Sequence, residues 1–229
     1  MKILGLQKMT LLDYPGKVAC TVFLGGCDLR CPFCHNAELL SGAMPPVLDD
    51  QGLLAFLDRR KGLLDGVCVT GGEPLLHDEL PSLLRSLREK GFLVKLDTNG
   101  THPDRLRAVM GEGLVDYVAM DVKNSPERYA ETVGRPAFDL APIRESVALL
   151  LGGTVEYEFR TTVVREFHDD ASFTAIGLWL AGARRYFLQP FVDRETVPRR
   201  GLNPPSEADL ARFLDVVREW IPAADTRGV

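Results

Sequence analysis

Short apolar runs alternate with helix-periodic segments along nearly the whole chain, and this alternation constrains the fold more than any other feature. Val18 to Leu24 reads as a buried strand. Asp49 and Asp50 then offer caps for a helix carrying Leu53, Leu54 and Leu57. Gly66 to Thr70 gives the second strand. Leu80, Leu83, Leu84 and Leu87 give the next helical face, closed by Gly91. Phe92 to Leu96, Tyr117 to Met120, Val155 to Val164 and Tyr186 to Gln189 supply four more strands, with Val155 to Val164 expected to be the longest. Between them lie three helical sets: Leu106, Val109 and Met110; Ile143, Val147, Leu150 and Leu151; and Phe173, Ile176 and Leu180. The last helix is capped by Ser206 with Asp209 at N3, and it turns Leu210, Phe213, Leu214 and Val217 inward. Six strands alternating with six helical regions predict parallel βαβ units. A closed eight-stranded barrel needs about 250 residues, and the chain has 229. The expected fold is therefore an α/β, partial (β/α)6 TIM-like barrel in a single domain over 1–229. Its core spans about 15–190, and the helix near 206–220 packs on the barrel. An open doubly wound sheet also fits the alternation, but no G-x-G-x-x-G follows the first strand, so dinucleotide binding has no support.

The formal net charge of -5 and a pI near 5.5 give no general attraction for nucleic acid or anionic lipid. Arg59-Arg60 and Arg199-Arg200 are too short to form a basic patch. No run of eighteen apolar residues is present, so a membrane span is not expected. Met1 to Thr10 lacks the apolar run of a signal peptide. The expected location is cytoplasmic. In that reducing setting five cysteines point to metal or redox chemistry before disulfides.

Parallel architectures place their sites at the C-terminal ends of the strands. Gly25-Gly26-Cys27 follows the first strand and Gly71-Gly72-Glu73-Pro74 the second. Asp97-Thr98-Asn99-Gly100 ends the third, Asp121 and Lys123 end the fourth, Arg160 lies in the fifth, and Gln189-Pro190-Phe191 follows the sixth. The polar and glycine-rich signals thus gather at one end of the expected barrel.

Cys27, Cys31 and Cys34 form a C-x3-C-x2-C run. Three thiolates so close in sequence can converge on one soft metal centre, and cysteine is the usual iron–sulfur ligand. Three ligands for a four-iron cluster leave one iron open, as a catalytic site requires. A zinc ion held by the same cysteines and His35 is the alternative, although a histidine directly after a ligand cysteine is poorly placed to reach the same ion. Cys20 and Cys68 lie inside strands and read as buried, inert thiols. His77, His102 and His168 form no constellation and read as surface residues.

Cys27-Asp28-Leu29-Arg30-Cys31-Pro32-Phe33-Cys34 resembles the radical S-adenosylmethionine signature C-x3-C-x-aromatic-C, and Gly71-Gly72-Glu73-Pro74 resembles that superfamily's second motif. Asp13-Tyr14-Pro15-Gly16, Cys34-His35-Asn36, Asp97-Thr98-Asn99-Gly100 and Asp121-Val122-Lys123 resemble the glycyl-radical-enzyme activating enzymes, above all those that serve anaerobic ribonucleoside-triphosphate reductases. The likeness runs from about Leu11 to Pro190.

The resemblance implies a [4Fe-4S] cluster on Cys27, Cys31 and Cys34. It also implies reductive cleavage of S-adenosylmethionine to a 5′-deoxyadenosyl radical, with the cofactors carrying the hard chemistry. Phe33 would stack on adenine or else simply pack. Gly71 and Gly72 would let the backbone approach the methionine part, and Glu73 would accept from its ammonium. Asp97, Thr98 and Asp121 would hold a monovalent cation, which suits hard oxygen ligands, although Asp97-Thr98-Asn99-Gly100 is also good cap or turn chemistry in its own right. Lys123 would neutralise a carboxylate. Arg160, a charge inside a strand, needs a partner, and the resemblance puts the cofactor there. Gln189 stands where pyruvate formate-lyase activating enzyme has a Pro-Tyr-His run. Asp13 would contact a partner's glycine loop, although Asp-x-Pro-Gly is also a complete β-turn.

Three readings follow. The first is an oxidoreductase that makes a glycyl radical on a partner enzyme and draws its electron from a flavodoxin or ferredoxin. The second is a radical enzyme of the carboxydeazaguanine synthase type acting on a small molecule. The third is a non-enzymatic zinc or iron–sulfur protein.

Overall fold

A computed structural model describes residues 1–228. Contacts divide them into two compact units. The first comprises Met1–Asp28, Glu38–Thr98 and His102–Ala119, and the second Leu29–Ala37, Asn99–Thr101 and 120–228.

The first unit contains β1 (Lys2–Thr10), β2 (Ala19–Leu24), β3 (Leu48–Asp49), α1 (Asp50–Asp58), β4 (Gly66–Gly71), α2 (Leu80–Glu89), β5 (Leu93–Thr98), α3 (Pro103–Gly111) and the start of β6 (Tyr117–Asp121). Its strand order is β3-β1-β2-β4-β5-β6. β2, β4 and β5 run parallel, while β1 pairs antiparallel with β2 and β3. The register aligns Thr21 with Cys68 and Cys68 with Lys95, so one face carries these three; the other carries Val22, Val69 and Leu96, all fully buried. α1 begins where Asp49 accepts from Gly52 N. α2 buries Leu80, Leu83, Leu84 and Leu87, each contributing about 1.5–3 kcal/mol of transfer free energy, and ends before Gly91 at φ +88°.

The second unit receives the end of β6 and continues through α4 (Tyr129–Thr132), α5 (Ala141–Leu151), β7 (Glu156–Val163), α6 (Asp170–Trp179), β8 (Tyr186–Pro190), α7 (Glu207–Arg218) and β9 (Ala224–Thr226). Its order is β6-β7-β8-β9, with β7, β8 and β9 parallel. α7 starts at Ser206, whose Oγ accepts from Asp209 N at 3.0 Å. It packs on α6, where Phe213 stacks on Phe173 with centroids 4.6 Å apart. A Cβ on Gly177 would meet the Trp220 ring at 2.5 Å, and Trp179 meets Tyr129 edge-on. Glu158, fully buried in β7, accepts both amino groups of Arg227 at 2.6 and 2.8 Å, and the guanidinium lies 3.8 Å above the Phe187 ring.

The fold is the expected α/β partial barrel with a mostly parallel sheet. The strand order starts at β3 and stops at β9, so the sheet does not close. The six expected strands are β2, β4, β5, β6, β7 and β8. The longest strand, however, is β1, with nine residues against eight in β7. No helix among the described residues is long and apolar enough to cross a membrane.

Candidate functional site

In the first unit the glycines of two strand-end loops lock together. Gly72 N donates to Leu24 O at 2.9 Å and Glu73 N to Gly26 O at 2.8 Å. A Cβ on Gly72 would meet Gly26 O at 1.7 Å, and one on Gly71, at φ +127°, would meet Leu24 O at 2.2 Å. The space left by these glycines is filled by the backbone of the loop leading to Cys27, a role the motif alone did not disclose. His77 Nε2 donates to Gly25 O at 2.9 Å and steadies the same loop. Cys27 Sγ lies 3.9 Å from Asp28 Oδ1. His102 Nε2 is 3.1 Å from Asp28 Oδ2, without the alignment of a hydrogen bond.

Glu73 is fully buried. Its Oε1 accepts from Leu75 N at 3.0 Å, capping the 3₁₀ turn Pro74–Leu76, and from Thr98 Oγ1 at 2.9 Å. Asp97 forms an ion pair with Lys95, two residues earlier on the same face of β5. Cys68 Sγ lies 3.7 Å from both Lys95 Nζ and Asp97 Oδ1. Asp13 Oδ2 accepts from Thr21 Oγ1 at 2.6 Å, and Thr10 Oγ1 accepts from Asp13 N. The turn after it closes from Lys17 N to Tyr14 O, with Gly16 at φ +69°.

In the second unit Asp121, Lys123 and Arg160 form one cluster. Arg160 Nε donates to Asp121 Oδ1 at 2.9 Å and Lys123 Nζ to Oδ2 at 2.8 Å. Burial pushes the Asp121 carboxyl up, but the two cations outweigh it and hold it well below the usual carboxylate range. Burial lowers the Lys123 ammonium, and the charges of Asp121 and Cys31 more than reverse this. Cys31 therefore lies near the Lys123 ammonium. Arg160 has the partner that its place in a strand demanded.

Cys31 and Cys34 bracket a turn in which Cys34 N donates to Cys31 O at 3.2 Å. Phe33 is buried against Phe167, centroids 5.8 Å apart, so packing is the role the structure displays. His35 Nε2 donates to Val192 O at 2.7 Å, and its ring stacks on Phe191 at 5.5 Å. Asn99 Oδ1 accepts from Thr101 N and Oγ1, the turn chemistry expected of it. Gln189 is half-buried in register with Thr162.

Three features were missed in the sequence. Lys95 is buried, and its only signal was a charge inside the run Leu93-Val94-Lys95-Leu96. Gly134, at φ +66°, lets Arg30 N reach Val133 O at 2.9 Å; a Cβ there would meet Arg30 O at 2.3 Å. His168 is not a surface residue. It is buried, its Nε2 donating to Lys123 O at 2.9 Å and its Nδ1 lying 3.1 Å from Val164 N. The cation expected at Asp97 and Asp121 does not fit, because each carboxylate already carries ammonium or guanidinium groups of the chain. Among the described residues no three His, Cys, Asp or Glu side chains are grouped so as to hold a metal ion.

A proposed glycyl-radical enzyme activating enzyme of Methanocaldococcus jannaschii is 30% identical over 224 residues, 95% of this chain and 92% of that one. Pyruvate formate-lyase-activating enzyme of Clostridium pasteurianum is 34% identical over 128 residues, 54% of this chain and 52% of that one. The 7-carboxy-7-deazaguanine synthase of Aquifex aeolicus is 38% identical over 79 residues, about a third of each chain. A domain of pyruvate-formate lyase-activating enzyme from Bacteroides vulgatus shares the fold at TM-score 0.59 and 20% identity, covering 71% of this chain and 99% of that one. Residues 21–169 match the model of the Radical SAM superfamily. That stretch is more than half of the chain and holds the cysteine run, the Gly-Gly-Glu loop and Arg160, so the chain belongs to the radical SAM superfamily.

Proposed function

We propose that this enzyme generates a glycyl radical on a partner protein, an anaerobic ribonucleoside-triphosphate reductase in the first instance. The carrying observation is the likeness to the Methanocaldococcus jannaschii relative over nearly the whole of both chains. Superfamily membership implies a [4Fe-4S] cluster and S-adenosylmethionine. Cys27, Cys31 and Cys34, which form no disulfide, carry the thiol chemistry that such a cluster takes, and a lysine charge stands near Cys31. Cys20 and Cys68 are buried in strands, which leaves no cysteines for an auxiliary cluster.

When bound, cluster and S-adenosylmethionine together supply a 5′-deoxyadenosyl radical able to take a hydrogen atom from glycine. The chain's own residues bind and orient. Gly71, Gly72 and Glu73 present a rigid, buried acceptor for the methionine ammonium. Thr98 fixes Glu73. Asp121, Lys123 and Arg160 form a cationic group suited to a carboxylate or ribose, with Asn99, Gln189 and Phe33 shaping the rest. Asp13 marks the loop that meets the partner, and a flavodoxin or ferredoxin delivers the electron.

The test is anaerobic reconstitution, reduction with S-adenosylmethionine, and electron paramagnetic resonance with and without a candidate reductase. An α-hydrogen doublet is expected only with the partner, and it should vanish when the partner's radical-site glycine is substituted. The small-molecule reading draws on identity to carboxydeazaguanine synthases. It would prevail if a small metabolite drove stoichiometric 5′-deoxyadenosine formation and no glycyl-radical enzyme did.

A further inference from the structure

Lys95 is among the largest fully buried side chains of the protein, with 1% of its surface exposed. Burying an ammonium is unfavourable unless an opposite charge meets it. Here Asp97 does so, as an ion pair two residues along the same strand. Both side chains leave the face of β5 that also receives Cys68, whose Sγ lies 3.7 Å from each charged group. The strand backbone fixes the spacing, so the charge at Asp97 is set before any ligand arrives. An ammonium is a compact unit charge with three donors, equal in charge to an alkali ion. A free cation at Asp97 would have to share the carboxylate with Lys95 or expel it from a buried position.

We propose that Lys95 is the built-in counter-cation of Asp97, in place of a free monovalent ion, and that S-adenosylmethionine binding by this enzyme is therefore indifferent to potassium and sodium. The binding half of this inference rests on superfamily membership and not on which substrate the radical attacks.

The experiment compares potassium, sodium, ammonium and choline chlorides at constant ionic strength. It reads the melting temperature of the protein and the S-adenosylmethionine affinity of the reconstituted enzyme. The wild type should show affinities within about twofold across the four salts. Lys95→Met should bind at least about tenfold more weakly in choline and recover both affinity and melting temperature in potassium or ammonium. Either of two results would overturn the proposal: a wild type that loses affinity in choline, or a Lys95→Met protein as indifferent to salt as the wild type. If Lys95→Met does not fold, the wild-type series decides alone. A wild type that binds no S-adenosylmethionine in any salt would sink the functional reading instead, and the melting series would still judge Lys95.

Discussion

Thr98 Oγ1 donates to Glu73 Oε1 over 2.9 Å, with both side chains closed off from solvent. The end of β5 thereby sets the carboxylate of the loop after β4. Thr98→Val keeps the shape and removes the donor from a buried charged group, a loss of about 1.5–3 kcal/mol. Urea unfolding should show that loss, and Thr98→Ser should largely restore stability. A Thr98→Val midpoint equal to the wild type would remove the bond from the account.

The cysteines divide by role. Cys27→Ala, Cys31→Ala or Cys34→Ala should each abolish the reconstituted cluster, read as bound iron and visible absorption. Cys20→Ala and Cys68→Ala should retain it. Burial pushes the Cys20 thiol up to about 12, so it stays protonated and inert. Cluster loss in Cys68→Ala with retention in Cys34→Ala would reverse the assignment.

Gly72→Ala should destabilise by more than about 2 kcal/mol, because its Cβ would fall 1.7 Å from a carbonyl oxygen of the facing loop. Gly111→Ala is the contrast. Its Cβ meets nothing within 4 Å at the end of α3, and it should gain about 0.5–1 kcal/mol. Thermal melts of the two variants check both signs.

Burial lowers the His168 imidazole below its ordinary value. The unfolded chain thus takes up a proton near pH 6.5 that the folded chain refuses, and stability should fall as pH drops below about 6.5. Its slope should stay within about 1.4 kcal/mol per pH unit. Asp121, held low by Arg160 and Lys123, adds its own loss only below about pH 4. Urea midpoints from about pH 7.5 to 5.5 should flatten in His168→Gln. An equal slope in that variant would show that another group is responsible.

Arg227→Ala leaves the buried Glu158 carboxylate without its bidentate partner, a loss of about 3–5 kcal/mol. Pairing it with Glu158→Met should recover most of that in calorimetry, since the buried carboxylate is then gone.

The elements legible in the sequence were those whose pattern is local. Four leucines at helical spacing announced α2, and Ser206 with Asp209 announced α7. β1 escaped because Lys2, Gln7, Lys8 and Met9 are exposed and break the alternation; its pairing with β2 and β3 makes it a strand. β3 and β9 are two and three residues long and exist only through their neighbours. The site was legible wherever chemistry needs rare spacing, as in the cysteines and Gly71-Gly72-Glu73. Arg160 stood out as a charge in an apolar run, and its Asp121 partner lies 39 residues away. Lys95 carries the same signal, a charge inside an apolar run. His168 was illegible because its partners are backbone atoms, which no side-chain pattern reveals.

Both tryptophans, Trp179 and Trp220, belong to the second unit, one against Tyr129 and the other against Gly177. Their emission is a built-in optical label for that half of the chain, while the first half is dark in tryptophan fluorescence. Far-ultraviolet circular dichroism sees the helices of both halves. If the two signals part during urea unfolding, the order of the signals gives the order in which the halves melt. If they coincide, the two halves unfold as one cooperative system.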